Sequence, residues 1–148
     1  MAFSFGRTTY DFSQTSVTIQ NPLVGQKVIN GTGLKSVTWA YDDDLSPTDL
    51  GGDGMVMTSK VVSHRGTITI ELQQTSAANT WLRNYFNKTE NSSGNWANGT
   101  ITVKEGFSNG AVMTATNVSP NKRPDHKSSY EGGGTLAWTF KAANITES

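Results

Sequence analysis

Residues 66–86 read GTITIELQQTSAANTWLRNYF, and the hydrophobic period changes halfway through the stretch. Ile68, Ile70 and Leu72 alternate with Thr67, Thr69 and Glu71, the two-residue repeat of a strand with one buried face. From Ala78 the repeat lengthens: Ala78, Trp81, Leu82, Tyr85 and Phe86 fall on one side of a helix, with Thr75 or Ser76 placed to cap it. The change predicts a strand over Gly66–Leu72 running into a short helix over roughly 76–86. The helix stripe, with Trp81 and Leu82 at its centre, is read as a contact onto a sheet in preference to a partner-binding face.

Period-two alternation governs the rest of the chain. Ser16–Ile19, Lys35–Tyr41, Met55–Val62, Gly99–Glu105, Ala111–Ser119 and Gly134–Ala142 all read as half-buried strands. Trp39 and Tyr41, and later Trp138, occupy inward positions and are expected to anchor the core. Outward positions carry Thr, Lys and Glu, as in Thr67-Thr69-Glu71 and Thr100-Thr102-Lys104. The predicted fold is therefore mainly β: a β-sandwich or small barrel of about seven strands flanked by one short helix. Turn signals separate the strands, and Ser108-Asn109-Gly110 is the clearest hairpin signal. No repeat with a period of 20–50 residues is visible. The expected organisation is a single domain over 1–148, with an N-terminal arm at 1–15 and a C-terminal tail at 143–148 lying outside the alternating strands and suited to contacts between copies.

Composition narrows the function classes. Twelve Lys and Arg balance twelve Asp and Glu, so no overall field draws the protein to nucleic acid or an acidic membrane. Without cysteine there is no disulfide framework, thiolate metal site or cysteine nucleophile. MAFSFGRTTY lacks the pattern of a signal peptide, and no apolar run reaches the length of a membrane span, so a soluble protein made in the cytoplasm is expected. Six N-x-S/T sequons, beginning at Asn30, Asn87, Asn91, Asn98, Asn117 and Asn144, follow from the abundance of Ser and Thr.

Catalytic constellations are missing from the pattern. His64 and His126 belong to neither G-x-S-x-G nor H-E-x-x-H, and the glycines at 51–54 and 132–134 precede strands, so they form no phosphate cradle. No enzyme activity and no cofactor are expected. The stretch YDDDLSPTDLGGDG at 41–54 holds Asp42, Asp43, Asp44, Asp49 and Asp53, five of the seven aspartates. It fails the EF-hand template, because Pro47 stands where glycine is required and Asp53 where glutamate is. No metal site is expected. Lys122 and Arg123, with His126 and Lys127 nearby, are too few for a nucleic-acid footprint; they read as a solvated loop, or as partners for an acidic loop on another copy.

The order of these features resembles the tail tube proteins of tailed bacteriophages. A strand leads to an acidic loop closing on GGDGMVMTSK; GTITIELQQTSAANTWLRNYF joins strand to helix; GTITVKEGFSNGAVMTATNV and GGGTLAWTFKA follow. The resemblance covers nearly the whole chain and extends in fold to the tube-forming protein of type VI secretion. It implies a structural virion protein, the main tail tube subunit. Six copies would form a ring by joining sheets edge to edge, and rings would stack into a hollow conduit for DNA delivery inside a contractile sheath. Implied partners are other copies, sheath, baseplate and tape-measure proteins, and DNA in transient, non-specific passage. Implied localisation is the virion tail, after synthesis in the host bacterial cytoplasm. In this family the loop holding residues 42–54 reaches a neighbouring subunit, so its five aspartates are expected to make inter-subunit contacts, between rings, with basic partners such as Lys122, Arg123 and Lys127. A rival reading is a carbohydrate-binding or adhesive β-sandwich, with Trp96, Trp81 and Tyr130 as stacking surfaces.

Overall fold

A computed structural model describes residues 9–31, 33–107 and 109–148. Its centre is one antiparallel sheet of seven strands. In chain order these are β1 (Thr15–Asn21), β2 (Gly25–Ile29), β3 (Leu34–Tyr41), β6 (Gly66–Gln73), β7 (Gly99–Glu105), β8 (Val112–Lys122) and β9 (Thr135–Glu147), with β4 (Thr48–Leu50) and β5 (Val56–Thr58) forming a separate hairpin. Across the sheet the order is β2-β1-β7-β8-β9-β6-β3. The helix α1 (Ala78–Glu90) connects β6 to β7. Phe12–Gln14 form a 3-10 turn capped by the Asp11 carboxylate, which accepts from the Ser13 N–H. The fold is mainly β with one helix, as the periodicity predicts.

The inward residues form one core. Val17 and Ile19 of β1, Ile29 of β2, Ile68, Ile70 and Leu72 of β6, and Ile101 and Val103 of β7 are all wholly buried, in one cluster with Met113, Trp138, Phe140, Leu82 and Tyr85. A flat sheet of seven strands would be about 29 Å across, whereas one helix covers about 10–12 Å. Full burial from β2 to β6 thus requires the sheet to curl around its own core, with α1 closing the remaining gap. Two glycines mark where elements approach too closely for a side chain. A Cβ on Gly99 would collide with the Tyr85 hydroxyl and the Val118 carbonyl, and one on Gly66 with the Ala40 carbonyl and Ile145.

Several boundaries depart from the sequence expectation. The C-terminal tail at 143–148 is strand through Glu147: β9 continues to pair with β8, as in Thr116↔Asn144 and Met113↔Glu147. Its buried positions step from Ala142 to Ile145, three residues and not two, which breaks the alternation by which a strand is recognised. Opposite this step β8 also skips, from Ala115 to Val118, with Asn117 at φ 53. Met55–Val62 is not a strand of the main sheet; only Val56–Thr58 pair, with β4, and every side chain there is exposed. β2 escaped the pattern because only Ile29 of its five residues is buried. The helix runs four residues past Phe86, to Glu90, where the buried Thr89 hydroxyl donates back to the Tyr85 carbonyl at 2.8 Å. Most of the expected N-terminal arm, residues 1–8, and Ser108 of the predicted hairpin turn lie outside the described residues.

Candidate functional site

Three surfaces stand out: the loop between β3 and β6, the two outer edges of the sheet, and the sheet face opposite the core.

At the base of the loop, two successive aspartates are committed within the chain. Asp42 donates its backbone N–H to the Arg65 carbonyl at 3.1 Å. Its carboxylate accepts from the Thr67 hydroxyl at 3.1 Å and from Lys141 Nζ at 3.3 Å, and Lys141 also donates to Thr67 Oγ1 at 2.8 Å. Asp43 receives Arg65 in the two-pronged geometry of a guanidinium on a carboxylate, Nε at 2.7 Å and Nη2 at 3.1 Å, with the Ser63 hydroxyl at 2.7 Å. The hydrogen bonds from Arg65, then from Ser63, hold the Asp43 carboxyl down at about 2.

Farther out the loop becomes apolar. Asp53 accepts the Met55 N–H at 3.1 Å and so closes the tip of its own hairpin. Asp44 and Asp49 are exposed, and among the described residues their carboxylates make no hydrogen bond or ion pair, although the Asp49 backbone pairs with Met57. Around them Leu45, Leu50, Met55, Val56, Met57 and Val62 are exposed, Met55 by 71% and Val62 by 78%. Large apolar side chains left exposed this close together are a feature of interaction surfaces. The sequence reading weighed the aspartates of this loop and missed its hydrophobic side chains; the signal was present in LGGDGMVM, where Leu50, Met55, Val56 and Met57 flank a glycine-rich turn.

The expected basic partners divide. Arg123 is spent inside the chain: Nη1 lies 2.5 Å from Glu90 Oε1, Nη2 lies 2.9 Å from Asn87 Oδ1, and the guanidinium sits 5.8 Å from the centre of the Phe86 ring. Its hydrogen bond holds the Glu90 carboxyl below its ordinary value. Arg123 thus straps the end of β8 onto α1, a contact within the chain that the sequence reading did not weigh. Lys122 and Lys127 are exposed, and the Lys127 carbonyl accepts from Gln74 Nε2.

Among the core anchors, Leu82 and Trp138 are buried, and Trp39 and Trp81 pack half-buried against the cluster. Trp39 Nε1 donates to Glu147 at 2.7 Å. Tyr41 is not a core anchor: it is 44% exposed, at the end of an outer strand beside the loop. Burial first and the Glu147 carboxylate second push its phenol above the ordinary value. Trp96 and Tyr130 sit in separate loops, both exposed, and Trp81 lies half-buried on the helix.

Among the described residues, β2 and β3 each pair on one side only. The sheet thereby ends in two unpaired edges, the feature that sheets use to join other strands. The face opposite the core is lined with hydroxyls. Thr18, Thr102, Thr114 and Thr146 lie in one continuous register row across β1, β7, β8 and β9; Thr38, Thr69 and Thr139 form another across β3, β6 and β9. Among the described residues, no group of His, Asp and Glu is arranged to hold a metal ion, and no helix is long and apolar enough to cross a membrane.

The fold is similar to that of chains in an extracellular contractile injection system and in the anti-feeding prophage. A chain of the sheath–tube complex of such a system, PVC, in its extended state aligns over 99% of both chains with a TM-score of 0.58 and 13% identity. A chain of the anti-feeding prophage baseplate aligns over 99% of this chain and 97% of its own, with a TM-score of 0.59 and 11% identity. The anti-feeding prophage tube-terminating cap aligns at a TM-score of 0.55 and 14% identity over 100% of this chain and 94% of that one. No curated protein matches the chain in sequence. Residues 7–148 match the family of the bacteriophage PhiTE tail tube protein; the chain belongs to that family, and its role is that of a structural tail-tube-like protein.

Proposed function

We propose that copies of this chain join edge to edge, β2 of one against β3 of the next, into a six-membered ring, and that rings stack into a tail tube that conducts DNA. The observation that carries this reading is the pair of unpaired outer strands at opposite ends of the sheet, in a chain whose family forms tubes. A row of such sheets satisfies the edge backbone groups that one copy leaves open, and a heterologous contact that closes on itself gives a ring. Helix α1 and the core give each copy a second layer on one face. Layers farther from a tube axis have more room, so α1 faces outward and the threonine-lined face lines the lumen.

The hairpin β4–β5 docks on a neighbouring copy through Leu50, Val56 and Met57, and Asp44 and Asp49, whose carboxylates have no partner among the described residues, orient that contact, with Lys122 and Lys127 as available cations. Asp42, Asp43 and Asp53 are occupied within their own chain and serve it indirectly, by fixing the loop. The fold shared with chains of sheath–tube and baseplate assemblies supports a contractile sheath around the tube and a baseplate at its end. A tape-measure protein within the tube, location in the virion tail and synthesis in the bacterial cytoplasm complete the reading.

The chain has no cysteine of its own, so paired substitutions test the edges cleanly. Gln26→Cys or Val28→Cys on β2, combined with Ser36→Cys or Thr38→Cys on β3, should give, on oxidation, a ladder of covalent species ending at six copies for the pair in register. Monomers alone from every combination would overturn edge-to-edge assembly.

A further inference from the structure

We infer that Asp42 and Asp43 are an electrostatic mask, cancelling the cations at the loop end of the threonine-lined face so that duplex DNA passes this face without being held; the inference rests on that face lining the lumen. The outward-facing charges near the face are few. Lys104 lies on β7 and Glu71 on β6, the exposed Lys122 of β8 is in register with Thr139, Lys35 reaches the Thr135 hydroxyl, and Lys141 and Arg65 lie at the loop end. The last two are the pair the aspartates cover: Lys141 by Asp42, with Thr67 closing a three-membered network, and Arg65 by Asp43 through two prongs. Lys141 remains 47% exposed and Arg65 63% exposed at the side chain, so each would be open to a phosphate once its carboxylate was neutral.

Exposed ion pairs contribute little to stability, yet here two consecutive acids take two cations on the same side of the sheet. Their consequence is larger for a polyanion. Each cation left free to neutralise a phosphate releases a counterion and adds to affinity, and a ring repeats that gain in every copy at one height along the tube. The remaining hydroxyls, in register rows across the sheet, offer neutral contacts that carry no such charge.

The test compares the full-length protein with Asp42→Asn/Asp43→Asn, which keeps side-chain shape while removing both charges. Fluorescence anisotropy with a labelled DNA duplex is read across a salt series. At low salt the double variant should bind about tenfold or more tightly than the unaltered protein, with a log–log salt slope more negative by roughly one per uncovered cation. Adding Lys141→Gln and Arg65→Gln should return binding to the starting level. A folded double variant with no gain, or an unaltered protein that binds equally well, would overturn the mask; should the double variant fail to fold, the single Asp42→Asn variant is read the same way. Electron micrographs of the same samples separate the two ideas, because lack of tubes counts against ring assembly and a flat salt response counts against the mask.

Discussion

Asn79, in the first turn of α1, donates its amide to the carbonyls of Gln73 at 2.8 Å and Gln74 at 3.3 Å, while its oxygen accepts from Trp138 Nε1 at 3.0 Å. One buried side chain thus ties the end of β6, the start of the helix and the centre of β9. Asn79→Ala leaves the Trp138 N–H without its partner inside the core, and an unsatisfied buried donor costs about 1–3 kcal/mol; urea denaturation should show a loss of that size. Asp43 gives a pH signature. Its carboxyl is depressed from 3.8 to about 2 by Arg65 and Ser63, so the folded state binds that proton less readily than the unfolded state does. The stabilisation it brings is complete above pH 3.8 and fades as pH falls through about 2. The stability difference between the unaltered protein and Asp43→Asn should therefore be constant from neutral pH to near 4 and shrink below it. A difference that instead grew toward pH 2 would contradict the ion pair.

At the scale of elements, the hairpin β4–β5 and the helix make opposite predictions. Leu82 on α1 is wholly buried, and Leu82→Ala should cost about 2–5 kcal/mol by removing buried methyl groups. Ser substitutions at Leu50, Val56 and Met57 touch only exposed side chains, so melting of the monomer should stay within about 0.5 kcal/mol of the starting value while assembly is lost. The same contrast explains what could be read from sequence. Strands β1, β6 and β7 and the helix were legible because one face of each is buried and the other is not, and periodicity records that difference; β3 was legible from the same alternation although its inward Val37 and Trp39 are only half-buried. β2 is an outer strand with one buried residue, the end of β9 passes through a three-residue step, and Met55–Val62 alternates without burying either face; in each case the pattern and the packing part company. The loop site was half legible. Five aspartates marked it, but that Asp42 and Asp43 serve Lys141 and Arg65 depends on β3, β6 and β9 lying side by side, pairings that no local spacing records.

For the molecule as a whole, zero formal charge and two sheet edges open among the described residues fit the proposed assembly from its own copies. If the edges carry assembly, the protein should pass from single copies to rings and stacked hollow tubes as its concentration rises. Negative-stain electron microscopy across a concentration series measures this directly. Six-fold rings and tubes of uniform bore, absent in the Leu50, Val56 and Met57 variant, are the predicted result; well-folded single copies at every concentration would contradict the account.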